Sequence, residues 1–109
     1  HLSFSHVRMM MNLVMMGIDC LPRGGVIHVR IRNEQVGLTI TLTCKGKRAR
    51  LRPDIANGIK GIEPEDGWRP ETIQPLFSKI ICDGLGGELT ASESDETVII
   101  MAAGIRAEG

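Results

Sequence analysis

Hydrophobic positions along the chain follow two periods. Residues 7 to 21, VRMMMNLVMMGIDCL, predict a helix, with Ser3 or Ser5 as its cap. At 100° per residue, Arg8, Asn12 and Asp19 fall on one narrow stripe with Met15 between them. Val7, Met9, Met10, Met11, Leu13, Val14, Met16, Ile18, Cys20 and Leu21 cover the rest. So wide an apolar arc predicts a helix against a sheet on one side and against something else on the other. Pro22 ends it, and Gly24-Gly25 predicts a tight reversal. The period then becomes two. Ile27, Val29 and Ile31 share one face of a strand over 26–32, opposite Val26, His28, Arg30 and Arg32. Val36, Leu38, Ile40, Leu42 and Cys44 share one face of a strand over 36–44, with Gly37 and a row of threonines opposite. The two predict an antiparallel hairpin.

Downstream, Pro53 starts a short helix to about Lys60. Residues 61–71 read as a Gly/Pro/acid-rich loop ending near Trp68, which is expected to plug the loop onto the core. A second long helix is predicted over 72–84, with Pro75 in its first turn and Ile73, Leu76, Phe77, Ile80, Ile81 and Leu85 as its apolar face. Gly84, Gly86 and Gly87 end it. Strands follow over 87–92 and 97–103, and the tail from Gly104 is expected to be loose. Helix, hairpin, two helices, hairpin, with one-sided strands, predicts an α+β two-layer sandwich. Its helices cover one face of a mainly antiparallel sheet of about four to five strands.

Composition sharpens this picture. The 109 residues suit one domain, and with 42% hydrophobic and 24% charged residues the chain is globular. Aromatics are 3% against six Met, so the core is aliphatic and thioether-rich. Net charge is zero, so no global field draws the chain to nucleic acid or to a membrane. The longest apolar stretch, 9–18, is interrupted by Asn12 and is short for a membrane span, and no signal peptide is visible. A chain opening at His1 reads as a fragment, a processed form or a tag remnant. Cys20, Cys44 and Cys82 lack zinc spacing and read as buried free thiols of a reducing compartment. No metal or cofactor is expected.

Several stretches together resemble the GHKL (Bergerat-fold) ATP-binding domain of histidine kinases. Asn12-Leu13-Val14-Met15-Met16-Gly17 is similar to its first conserved box, and Leu21-Pro22-Arg23-Gly24-Gly25-Val26-Ile27 to the turn and strand that follow. Gly86-Gly87-Glu88-Leu89-Thr90-Ala91 resembles the Gly-Gly strand entry near the end, and Thr97 to Met101 the last strand. The chemistry departs from that family. Its second box Asn, a magnesium ligand, is here Met16, and a thioether is a poor partner for a hard cation. The adenine-binding Asp aligns with Cys44, and of the glycines beside it only Gly46 survives. The glycine-rich lid gives way to the short helix near 53–60. Asn12, Met16, Cys44 and Gly46 thus outline a degenerate nucleotide pocket, with Met9, Met16 and Cys20 expected to fill the nucleotide's volume.

Among degenerate GHKL domains, Gly46-Lys47-Arg48-Ala49-Arg50-Leu51 and Thr72-Ile73-Gln74-Pro75 resemble the C-terminal domain of ChpT-type histidine phosphotransferases. That resemblance implies a cytoplasmic bacterial phosphorelay protein. Its full-length form would be a homodimer that relays phosphoryl groups between response-regulator receiver domains. The phosphoacceptor His would lie on an N-terminal helical hairpin outside this chain, leaving no catalytic residue within it. His1, His6 and His28 read as surface or capping residues. Lys47, Arg48 and Arg50 are candidate steering residues for acidic receivers, or a loop offset by Asp54, Glu63, Glu65 and Asp66. The alternatives are an active, divergent GHKL kinase and a pseudokinase adaptor without a relay.

Overall fold

A computed structural model describes residues 3–35 and 37–106. His1 and Val36, named above, lie outside the described residues. The elements are α1 (Phe4–Asp19), β1 (Val26–Glu34), β2 (Gly37–Lys45), α2 (Pro53–Gly58), α3 (Gln74–Gly84), β3 (Glu88–Ser94) and β4 (Thr97–Ile105). The strands form one antiparallel sheet in the order β1-β2-β4-β3. All three helices pack on one face, as the alternation predicts.

α1 begins a turn earlier than the hydrophobic period suggests, because Ser3 builds a reciprocal cap. Its hydroxyl accepts from the His6 backbone N–H at 3.2 Å, and the Ser3 N–H donates to His6 Nδ1 at 3.1 Å. Met9, Leu13, Met16 and Cys20 then point into the core against Leu38, Ile40, Leu42, Cys44, Val98, Ile100 and Ala102. Gly17 lets the helix approach the sheet closely. A Cβ there would lie 2.9 Å from Cys44 Sγ.

Near the end of β4 the register shifts between Leu38 and Ile40. The extra residue falls at Gly104, whose φ of 71° suits glycine, and the bulge turns Ile105 into the core. The tail is therefore not loose over 104–106, and residues 107–109 lie outside the described residues. Ile105 is fully buried, and the Arg106 N–H donates to the Leu85 carbonyl at 2.8 Å. The Arg106 guanidinium reaches the Gly84 carbonyl at 2.6 Å.

α3 departs from its predicted face. The departure is at Phe77 and Ile80, which are half exposed, while Leu85 is buried and Ile81 packs on the core as predicted, and Pro75, Ser78 and Cys82 are buried besides. It starts at Gln74, two residues late, with Pro75 inside the first turn. The strands run on beyond their predicted ends, to Glu34, Lys45, Ser94 and Ile105. Trp68 is half-buried. Among the described residues no helix is long and apolar enough to cross a membrane.

Two substitutions test this packing by urea unfolding. Leu13→Ala is expected to lose about 2–5 kcal/mol, as a core truncation. Gly17→Ala would ordinarily stabilise a helix by up to about 1 kcal/mol. Here it is expected to destabilise by about 1–2 kcal/mol through overpacking on Cys44. In a Cys44→Ala background its sign should reverse.

Candidate functional site

The four residues of the degenerate nucleotide pocket do not converge on one cavity. Met16 and Cys44 lie together in the core, 1% and 0% exposed. Asn12 turns toward α3. Its Nδ2 donates to the Arg8 carbonyl at 2.8 Å, and its Oδ1 lies 3.4 Å from Ser78 Oγ, whose single hydrogen it shares with the nearer Gln74 carbonyl at 3.1 Å. Gly46 sits beneath the 21–25 turn, where a Cβ would lie 2.3 Å from the Gly24 carbonyl oxygen. The approach of two backbones thus accounts for this glycine. Met9 and Cys20 are also fully buried, so sulfur and hydrocarbon close the space between α1 and the sheet.

The basic stretch is held from behind by carboxylates. Glu96 Oε2 accepts from the Arg48 backbone N–H at 2.7 Å, and Glu93 Oε2 from that of Leu51 at 2.7 Å. The Arg50 N–H donates to the Cys20 carbonyl at 3.1 Å, and Arg48 takes a left-handed φ of 63°. Ala49 and Leu51 turn inward. Arg48, Arg50 and Arg52 line an open cavity of about 570 Å3 with Ile18, Asp19 and Pro22.

The loop-offset expectation is therefore met in one pair only. Asp54 pairs with Arg52 at 3.2 Å, and Asp66 instead pairs with Arg69 at 2.8 Å. Among the described residues, Lys47, Arg48 and Arg50 meet no carboxylate within ion-pair distance. Lys47, named with the arginines, does not line the cavity, whereas Arg52 does. The i, i+2 spacing of Arg50 and Arg52 was the signal for Arg52, since alternate side chains of an extended segment point the same way, whereas Arg48 reaches the cavity from a turn.

His6 is a capping residue, one of the two readings given for it, and is buried where the other reading placed it at the surface. Its Nδ1 accepts from the Ser3 N–H, so its Nε2–H is the donor to the Arg106 carbonyl at 2.5 Å. Both nitrogens are thereby engaged. His28 is exposed on the open face of the sheet, lining a concavity with Arg30, Thr41, Thr43 and Lys45. Among the described residues no three His, Cys, Asp or Glu side chains gather as a metal site.

Helices on one face of an antiparallel β1-β2-β4-β3 sheet define the class of fold. The solved structure of a bacterial phosphotransferase shares it with a TM-score of 0.81. That likeness runs over 90% of this chain and 48% of the other, at 22% identity. The chain belongs to the family described as histidine phosphotransferase C-terminal domain, whose model matches residues 1–97. It is similar to the protein phosphotransferase ChpT of Brucella abortus (strain 2308), 23% identical over 96 residues. Those residues are 88% of this chain and 46% of the relative, so the chain spans about half the length of the proteins it matches.

Burial pushes the Cys44 and Cys82 thiols up to about 11, and raises that of Cys20 as well. All three stay protonated and unreactive near neutrality. Between the ordinary thiol value of 9.0 and about 11, the folded chain holds protons that the unfolded chain has released. Stability is therefore full below pH 9 and is lost as pH rises through 11. Urea midpoints measured across this window should fall, and Cys44→Ala or Cys82→Ala should flatten the slope. The chain has no Tyr, so thiolate absorbance can follow the same transition without a tyrosinate background.

Proposed function

We propose that this chain is the nucleotide-free, pseudo-ATPase domain of a histidine phosphotransferase. The full-length protein relays phosphoryl groups between response-regulator receiver domains. The observation that carries the reading is the closed interior: Met9, Met16 and Cys20 fill the space beneath α1, and Asn12 is engaged by α3. A domain without room for ATP has a supporting role in phosphoryl transfer, where positioning and charge stabilisation dominate.

Two surfaces supply that role. Phe4, Met11, Met15 and Ile18 form an exposed apolar stripe along α1, which suits a helical hairpin bearing the phosphoacceptor His. The cavity of Arg48, Arg50 and Arg52, with Lys47 beside it in sequence, suits the acidic phosphorylation site of a receiver. The protein acts in the cytoplasm, and the hairpin supplies its dimer.

Thermal unfolding with ATP and magnesium tests the first element. No rise in Tm is expected, whereas a bound nucleotide must raise it. A rise would favour a divergent kinase. For the second, neutralising Lys47, Arg48 and Arg50 in the full-length protein should slow phosphotransfer from a phosphorylated receiver at low salt. The expected loss is about tenfold or more, shrinking as salt is added. An unchanged rate removes the steering role.

A further inference from the structure

β1 is an edge strand that is covered on the helix side only at Ile27 and is otherwise exposed on both faces. α1 seats mainly on β2 and β4 and reaches β1 only near Ile27, beside Gly17. On the helix side, Val29 remains 43% and Ile31 38% exposed, although their partners Leu42 and Ile40 are fully buried. On the open side stand His28, Arg30 and Arg32, with Lys45 on the neighbouring strand. Among the described residues, Arg30, Arg32 and Lys45 meet no carboxylate within ion-pair distance. Glu34, at the far end of the strand, accepts instead from Thr39 Oγ1 at 2.8 Å. The outer edge of β1 thus offers backbone pairing groups flanked by an aliphatic row on one face and a cationic row on the other.

We infer that β1 is a docking edge for an extended partner segment that alternates apolar and acidic residues. Added as a fifth strand, such a segment places every second side chain on the helix face, where it covers Val29 and Ile31. The intervening carboxylates then stand beside Arg30, Arg32 and His28 on the open face. The same cations select against a second copy of this chain. An antiparallel β1–β1 pair centred on Arg30 sets arginine directly against arginine, with His28 opposite Arg32, and like charges directly opposite destabilise a sheet. The surface lies on a different element from the Arg48–Arg52 cavity and does not depend on the relay reading.

The test is NMR-detected amide exchange of the 109-residue chain with short synthetic peptides. One peptide alternates valine and glutamate, one alternates valine and lysine, and one holds the valines and glutamates in separate blocks. The alternating acidic peptide should slow exchange of β1 amides that β2 does not already accept, and bind more weakly as salt rises. Arg30→Glu with Arg32→Glu, both at exposed positions, should weaken it roughly tenfold and admit the lysine peptide. Three results would overturn the inference: unchanged β1 exchange, equal binding of the block peptide, or protection confined to β3 or to residues 48–52.

Discussion

The seating of α1 on β2 and β4 is the constraint from which the rest of the molecule follows. Met9, Leu13, Met16 and Cys20 project from one side of the helix into the sheet's buried row, and Gly17 removes the one side chain that would hold the layers apart. Each buried Met or Leu contributes about 1.5–3 kcal/mol. Opening a ligand-sized gap here would forfeit several such terms at once, in a domain whose total stability is of order 5–15 kcal/mol. The interior beneath α1 is therefore a packed core.

That seating also determines what stays uncovered. A helix centred on β2 and β4 shields β1 only at Ile27, so Val29 and Ile31 remain open to solvent although they alternate as a core strand should. The helix turns Phe4, Met11, Met15 and Ile18 outward for the same reason. One placement thus produces both the apolar stripe and the exposed edge. Neither is a packing defect of the strand or the helix taken alone.

Much of the fold was legible because alternation and helical period report which side of an element is buried. Seven elements and the one-sided sheet follow from residues such as Leu38, Ile40 and Leu42 against Thr39, Thr41 and Thr43. The misses arise where a tertiary contact overrides the local pattern. The rotation of α3 follows its packing, which buries Pro75, Ser78 and Cys82. Gly58 would set a Cβ 2.6 Å from Pro75 Cβ, and Ser78 bonds to Asn12, so α2 and α1 fix that face. The C-terminal segment looked unattached because its anchors, His6 and Leu85, are distant in sequence. The basic run was legible as a run of charges, but its grouping in space was not. The run of basic residues named Lys47, Arg48 and Arg50, and the cavity joins Arg52 to the two arginines in place of Lys47.

Zero net charge hides how the charges are divided. Glu93 and Glu96 are near enough to the basic loop to neutralise it, but they accept backbone N–H groups instead. A carboxylate bonded to an amide fixes the path of the chain, whereas one bonded to an exposed guanidinium contributes about 0–1 kcal/mol and closes off the cation. The first use leaves Arg48 and Arg50 without a described carboxylate partner on a segment whose backbone is restrained. Arg48 is held at a positive φ, which ordinarily costs of order 1–3 kcal/mol for a residue other than glycine, and its N–H bond to Glu96 helps to offset that cost. An unrestrained loop of the same composition would lose more side-chain and backbone freedom on meeting an anion, and would bind more weakly for it. The acidic residues of the β3–β4 hairpin therefore act on the basic surface through its backbone and not through its charge.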